Sequence, residues 1–411
     1  MNFKSTLIAV ALCLSAGLVS AQTTYDLPQL EALALETSRA VAAGRDRVTA
    51  ARYAVDSAAA FPNPELEYLG GTARSRAPGG TAGDARSLSL TQPLDMPWRR
   101  YSRIAAAEAG LESATAGYQV FEADALARLR MRYYEVLRRV AEYENTKQDL
   151  KLMEDVRSRI ALRVETGDAA RFELIKADSE MMGAQKNAQA AGFRVEQSRS
   201  QLRQSVGGGM STNFLLTGSL KDVPAIPDLA SLRQQLRTSS PDLAIARAET
   251  VRAERQLEFE RAQRWPNLAL KAGVDEDPDL RTSKIGLVVS IPLWDRRKGP
   301  VGEATAQLAR ARNELEAQTF GLGQSLEVAS QQYEIAQAQV VALESGIVKK
   351  AESALNVAEA AYRFGERGFL EVLDAQRVYR AVRLELIVAR FELASAWVEI
   401  ERLRATRGEN K

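Results

Sequence analysis

Apolar positions recur along this chain with two periods, and each predicts its own kind of element. Around Lys284 the alternation is strict, with Ile285, Leu287, Val289, Ile291 and Leu293 interleaved with Gly286, Val288, Ser290 and Pro292. That is a strand with one apolar face, which needs something apolar outside it. After Pro300 the interval lengthens. Val301, Leu308, Leu315, Leu322, Ala329, Ala336 and Leu343 recur every seventh residue, and Leu326, Tyr333, Val340 and Ile347 follow the last four of them by four. This is a coiled-coil seam, not the stripe of a globular surface helix. No proline occurs from Val301 onward, so the pattern predicts one helix of roughly 64 residues, reaching about 95 Å.

The earlier chain carries the same elements in the same order. Residues 26–60 read as one or two amphipathic helices, with Leu27, Leu30, Leu33, Val41 and Val48 among arginines and only Gly44 in the way. FPNPELEYLGG (61–71) breaks the helix and opens a strand, and SLSLTQPLDM (87–96) is its mate. The glycine-rich stretch between them, 72–86, predicts a long hairpin loop. From Pro97 to residue 166 the pattern is helical for roughly 70 residues, about 105 Å. Gly167-Asp168 ends it, and a returning helix runs from Phe172 to Val206. The glycines 207–209 lack the lysine of a phosphate loop and read as a helix stop.

After the linker KDVPAIPDL (221–229) the order repeats. A helix begins near Ser231, is interrupted or restarted at Pro241 and continues to Arg264. WPNLALKAGV (265–274) parallels FPNPELEYLG, the acidic turn DEDPDLRTS (275–283) follows, and SIPLWD answers TQPLDM. GERGFLEVLDA (365–375) matches GDAARFELIKA (167–177), at an offset of about 200 residues. The organisation is therefore a segment 1–21, a first repeat 22–220 with hairpin 61–96, and a second repeat 221–411 with hairpin 265–295. In each repeat the two shorter helices together match the long one, giving a continuous antiparallel pair. Four strands cannot close a barrel, and a bilayer does not tolerate open sheet edges, so other copies of the chain must complete it.

Composition narrows the chemistry. Residues 1–21 start with Lys4, run apolar from Leu7 to Val19 and end in the small-x-small site Val19-Ser20-Ala21, which predicts a cleaved secretory signal. The run is too short for a membrane span. Cys13, the only cysteine, lies inside it behind Ala11-Leu12, a poor context for lipid attachment. With the signal removed, neither cysteine nor histidine remains. Thiolate nucleophiles, imidazole catalysis, disulfides and soft metal sites are thereby excluded, and no cofactor is expected. Met181-Met182 point about 100° apart on a helix and read as packing residues, not copper ligands. Lys and Arg number 55 against 53 Asp and Glu, interspersed along helical faces, so nothing suggests nucleic acid.

FPNPEL, TQPLDMPWRR with IAAAEA after it, WPNLAL, IPLWDRRKG and YRFGERGFLEVLDAQR together resemble the TolC-like outer-membrane efflux proteins. The resemblance covers the whole mature chain, and the PNPEL and IPLWDR hairpins look most like the branch serving cobalt, zinc, cadmium or copper resistance. It implies a mainly α chain with a small β part, built of duplicated long antiparallel helical pairs. Three copies would form an α-barrel tunnel through the periplasm and share a twelve-stranded β-barrel in outer-membrane lipid. The partners implied are a periplasmic adaptor, or membrane-fusion, protein and an inner-membrane pump. Substrates would pass without chemical change, making the chain no enzyme. The resemblance also makes the turn Tyr362 to Asp374 the periplasmic entrance. Tyr362 and Arg367 would bond Glu173 of the first-repeat turn to hold it shut, and Glu371 with Asp374 would form an acidic selectivity ring. Glu371 stands where the family commonly has the shorter aspartate, which would narrow the ring or loosen it. The bland alternatives are surface ion pairs and a solvated helix start. The rival reading of the whole chain is a periplasmic coiled-coil adaptor, against which the amphipathic strands argue. An enzyme is more remote, because no nucleophile and base are brought together in the pattern.

Overall fold

A computed structural model describes residues 23–74, 76 and 78–404, so the expected signal segment, 1–21, lies outside the described residues. The first repeat opens with a short strand β1 (Thr23–Tyr25), helices α1 (Leu27–Thr37) and α2 (Arg39–Ala59), and strands β2 (Glu65–Arg74) and β3 (Ala82–Leu94). The long helix α3 (Pro97–Glu165) and the returning helix α4 (Arg171–Val206) follow, then β4 (Phe214–Leu216). The second repeat comprises α5 (Leu229–Ser239), α6 (Pro241–Ala262), β5 (Asn267–Asp277), β6 (Leu280–Ser290), α7 (Lys298–Ala342), α8 (Val348–Arg363) and α9 (Phe369–Arg404).

Local chemistry explains the shared boundaries. Asp26 and Asp228 each cap the first helix of a repeat, accepting from the amides of Gln29 and Ser231. Ser38 and Ser240 then break the helix at equivalent places with extended backbone, their amides still bonded to Ala34 and Leu236. Pro241 restarts the second at a position where its missing N–H costs nothing. The long helices end alike. Gly167 (φ 82°) and Gly365 (φ 73°) take the left-handed conformation, and each is followed by an amide that reaches back five residues, Asp168 to Arg163 and Glu366 to Ala361. Both are Schellman stops, for which glycine is the residue without steric penalty.

The chain forms two compact units that cut across the repeats. One is drawn from the chain up to Ser38, Arg132–Asp222 and Lys350–Phe391; the other from Arg39–Met131, Val223–Lys349 and Glu392 onward. In the first, Met153 and Ile160 of α3, Ala177 and Ala184 of α4, and Phe369 and Leu373 of α9 form a buried cluster that Met181 packs against. In the second, Leu232 and Leu236 of α5 close on Leu326, Ala329 and Tyr333 of α7 and on Ile400 and Leu403 of α9. Each fully buried aliphatic side chain contributes about 1.5–3 kcal/mol, so these seams are what hold the helices together.

Three features depart from the sequence expectations. The polar stretches expected as loops are mostly strand: Thr72 pairs with Asp84 and Arg74 with Ala82, while Asp277 pairs with Leu280 across a turn of only Pro278 and Asp279. Cross-strand pairing satisfies these backbones although their side chains lack apolar alternation. Secondly, β1 and β4 form a small parallel pair, Tyr25 opposite Leu216, too short to leave a periodic signal. Hydroxyls of the repeat-related Tyr133 and Tyr333 donate to the carbonyls of Thr217 and Pro224, each within its own compact unit.

The third departure lies in the second long helix, which is not one α-helix. Leu343–Ile347 forms a π-turn between α7 and α8, whereas α3 runs unbroken. A π-turn carries one extra residue and so rotates everything after it on the helical wheel. The strict seven-residue interval would bring Lys350 to the seam after Leu343. Instead Ala351 and Leu355 are buried, and Ile347, inside the turn, is 46 % exposed.

Candidate functional site

Two places carry function-bearing geometry: the turn at the far end of the long helices and the four-stranded sheet. At the turn the π-shifted register matters at once. Tyr362 lies seven residues beyond Leu355, and its ring packs on Phe369 at 5.9 Å. The Tyr362 hydroxyl donates to Glu173 Oε2 at 3.2 Å. Burial, with the nearby Glu173 carboxylate second, pushes the Tyr362 pKa above its ordinary value; the Arg163 guanidinium opposes the rise. Arg163, which sequence reasoning missed, lies 4.8 Å from the centre of the Tyr362 ring and donates to the Asp168 carbonyl at 3.2 Å. It therefore clamps the tyrosine and the first-repeat turn together.

Arg367 does not reach Glu173. It bonds Glu371 Oε2 at 2.5 Å, four residues on, in an exposed pair. Arg367 lies in the bend before α9 and pairs with that near carboxylate instead of one on the first-repeat turn. Glu371 and Asp374 share an exposed face at the start of α9. Further along α9, Gln376 and Arg380 both bond Asp149 of α3, at 3.2 and 3.1 Å, and Arg377 pairs with Glu180 of α4. Arg383 donates to Gln148 at 2.6 Å. The signal for this ladder was present in the sequence: Arg377, Arg380 and Arg383 recur at intervals of three, a face too basic for a seam.

The sheet runs β2-β3-β5-β6, antiparallel throughout. Register places Leu66, Leu90, Ala272 and Ile285 in one row across all four strands, with Tyr68, Leu88 and Val274 in the next and Leu94, Leu268 and Val289 near the helical end. The face is apolar yet open: Ile285 is 78 % and Leu66 71 % exposed. The other face is polar. There Lys271 pairs with Glu67 at 3.0 Å and Lys284 with Asp275 at 2.5 Å, and Ser89 and Ser87 donate to the same carboxylates. At the helical end stand Phe61, Trp98, Tyr101, Trp265 and Trp294, all exposed, with Trp98 and Trp265 edge to face at 6.5 Å. Such amphipathic rings gather where hydrocarbon meets water. Among the described residues no helix is long and apolar enough to cross a membrane, and no group of acidic side chains is arranged to hold a metal ion.

An open sheet, apolar outside and polar inside with an aromatic rim, carried on duplicated helical hairpins, defines an envelope channel subunit. The chain belongs to the outer membrane efflux proteins, whose family model matches residues 30–208 and 232–406. It is 26 % identical over 382 residues to the cobalt-zinc-cadmium resistance protein CzcC of Cupriavidus metallidurans, covering 90 % of both chains. With the nickel-cobalt-cadmium resistance protein NccC of Alcaligenes xylosoxydans xylosoxydans it shares 26 % identity over 314 residues, 75 % of this chain and 70 % of that one. A membrane protein from Pseudomonas aeruginosa has the same fold, with a TM-score of 0.80 at 18 % identity over 92 % of this chain and 90 % of that one. The protein is an outer-membrane efflux channel of the TolC-like kind.

Proposed function

We propose that three copies of this chain form the exit duct of a tripartite system that expels heavy-metal cations. Each copy gives four strands to a twelve-stranded barrel, its helices continue through the periplasm, and an adaptor and an inner-membrane pump deliver the cargo. The observation that carries the proposal is the open four-stranded sheet, whose exposed apolar face and unpaired edges are satisfied by neighbouring copies in lipid. The resistance proteins named above support cations as cargo.

In this reading the chain catalyses nothing. Tyr362 and Glu173 hold the periplasmic entrance closed, with Arg163 bracing them. Glu371 and Asp374, repeated threefold, set up to six carboxylates about the axis and favour cations. Arg367 neutralises part of that charge by pairing with Glu371.

The test is reconstitution in planar bilayers with a metal-sensitivity assay in cells lacking the gene. Wild-type protein should restore growth in zinc, cobalt or cadmium. Glu371→Gln with Asp374→Asn should leave a conducting trimer whose cation preference falls severalfold. Undiminished selectivity would remove the ring from the mechanism, and failure to restore growth in any of the metals would remove the cargo.

A further inference from the structure

The two faces of the sheet use different cations. On the polar face both are lysines, Lys271 and Lys284, and both are paired with carboxylates of adjacent strands. On the apolar face the cations are arginines, and they lie together at the hairpin-turn end. Register sets Arg86, Glu276 and Arg281 side by side on β3, β5 and β6, one row beyond Tyr68, Leu88 and Val274. Arg74 and Asp84 continue the same face toward the turn. Arg86 has one loose, exposed pair, 3.5 Å to Asp84. Among the described residues Arg74 and Arg281 bond to no side chain, although Glu276 is the direct neighbour of Arg281.

The row lies at a meaningful depth. Asn267, at the aromatic end of β5, is nine residues from Glu276, about 31 Å along a strand and roughly 23 Å along the normal at a typical barrel tilt. That matches the apolar band of an outer-membrane barrel, so the arginines meet the lipid headgroups on the side away from the helices. A planar guanidinium grips phosphate through two parallel N–H donors, which an ammonium cannot do. Arg86 and Arg281, two strand spacings or about 10 Å apart at the backbone, can approach one headgroup from two sides. Asp84 and Glu276 leave the patch only mildly positive, which suits a leaflet whose phosphates are bridged by divalent cations that carboxylates can share.

We infer that Arg86 and Arg281, with Arg74 beside them, form a binding site for the phosphates of a phosphorylated glycolipid in the outer leaflet. The inference rests on the sheet lying in the outer membrane, as proposed above. It assigns the three arginines a role in seating the barrel, separate from conduction.

The test uses the full-length trimer in detergent, with native mass spectrometry against diphosphoryl lipid A, its dephosphorylated form, and inorganic phosphate as competitor. Wild type should retain diphosphoryl lipid A at least tenfold better than the dephosphorylated form. Arg86→Gln with Arg281→Gln should abolish that preference, while Lys271→Gln with Lys284→Gln should keep it. Equal retention of both lipids, equal loss in both double variants, or full displacement by inorganic phosphate alone would overturn the site. Fractionation separates the two readings. Protein in the outer-membrane fraction without the preference sinks this inference alone, and protein absent from that fraction sinks the channel reading with it.

Discussion

At the scale of single residues the two turns that end the long helices carry two contacts of different kinds. Tyr362 is half-buried and donates to Glu173 across two turns of the chain, whereas Arg367, in the bend before α9, pairs with Glu371 four residues on in water. Removing the donor of a hydrogen bond to a carboxylate costs about 1.5–3 kcal/mol, and in the proposed trimer three such losses add. Tyr362→Phe should therefore raise single-channel conductance severalfold with the trimer intact. Arg367→Ser should leave resting conductance near wild type and sharpen cation preference, because Glu371 loses its counter-charge. If Arg367→Ser opened the channel as far as Tyr362→Phe, the two roles would be reversed. The tyrosine contact has its own pH signature. A folded pKa raised above the ordinary value of about 10 means that the contribution is fully present below pH 10 and is lost as pH climbs through the folded value. Conductance should be flat from neutral pH to about 10 and rise only in stronger alkali.

Among the elements, the helices and the order of strands were legible, since seven-residue and two-residue periods carry through the noise of single substitutions. The strand ends were not, because Asp84, Arg86 and Glu276 are held by backbone pairing and leave no apolar rhythm. The contact of Tyr362 with Glu173 could be read from the family resemblance. Arg163 could not, as it acts through a ring from a neighbouring helix. The π-turn escaped notice although its clue was on view: a strict heptad lands Lys350 on the seam. Deleting Gly346 tests the consequence. A helix of one residue fewer should close into continuous α-structure and turn Tyr362 by about 100° away from Phe369 and Glu173. With Gly346 deleted, Tyr362→Phe should no longer change conductance, because the hydroxyl has already been turned away from Glu173. An equal effect of Tyr362→Phe with and without the glycine would show that the turn does not set the phase.

For the molecule as a whole, the repeats and the compact units divide the chain differently. Separately exported halves, 22–220 and 221–411, should each remain protease-sensitive, and co-production should restore resistance and trimers; a stable lone half would contradict this. The reason lies in what the units are made of. One of them needs the stretch Lys350–Phe391 to meet residues near the start of the chain, and its bonds join partners 189 and 231 positions apart, Tyr362 with Glu173 and Arg380 with Asp149. Contacts so distant form slowly and expose apolar seams in the meantime. A chain made from its N-terminus thus cannot close this unit until nearly the last segment has been synthesised. Until then the apolar side chains of α3 and α4 in that unit, Met153, Ile160 and Ala184 among them, have no Phe369 or Leu373 to cover them.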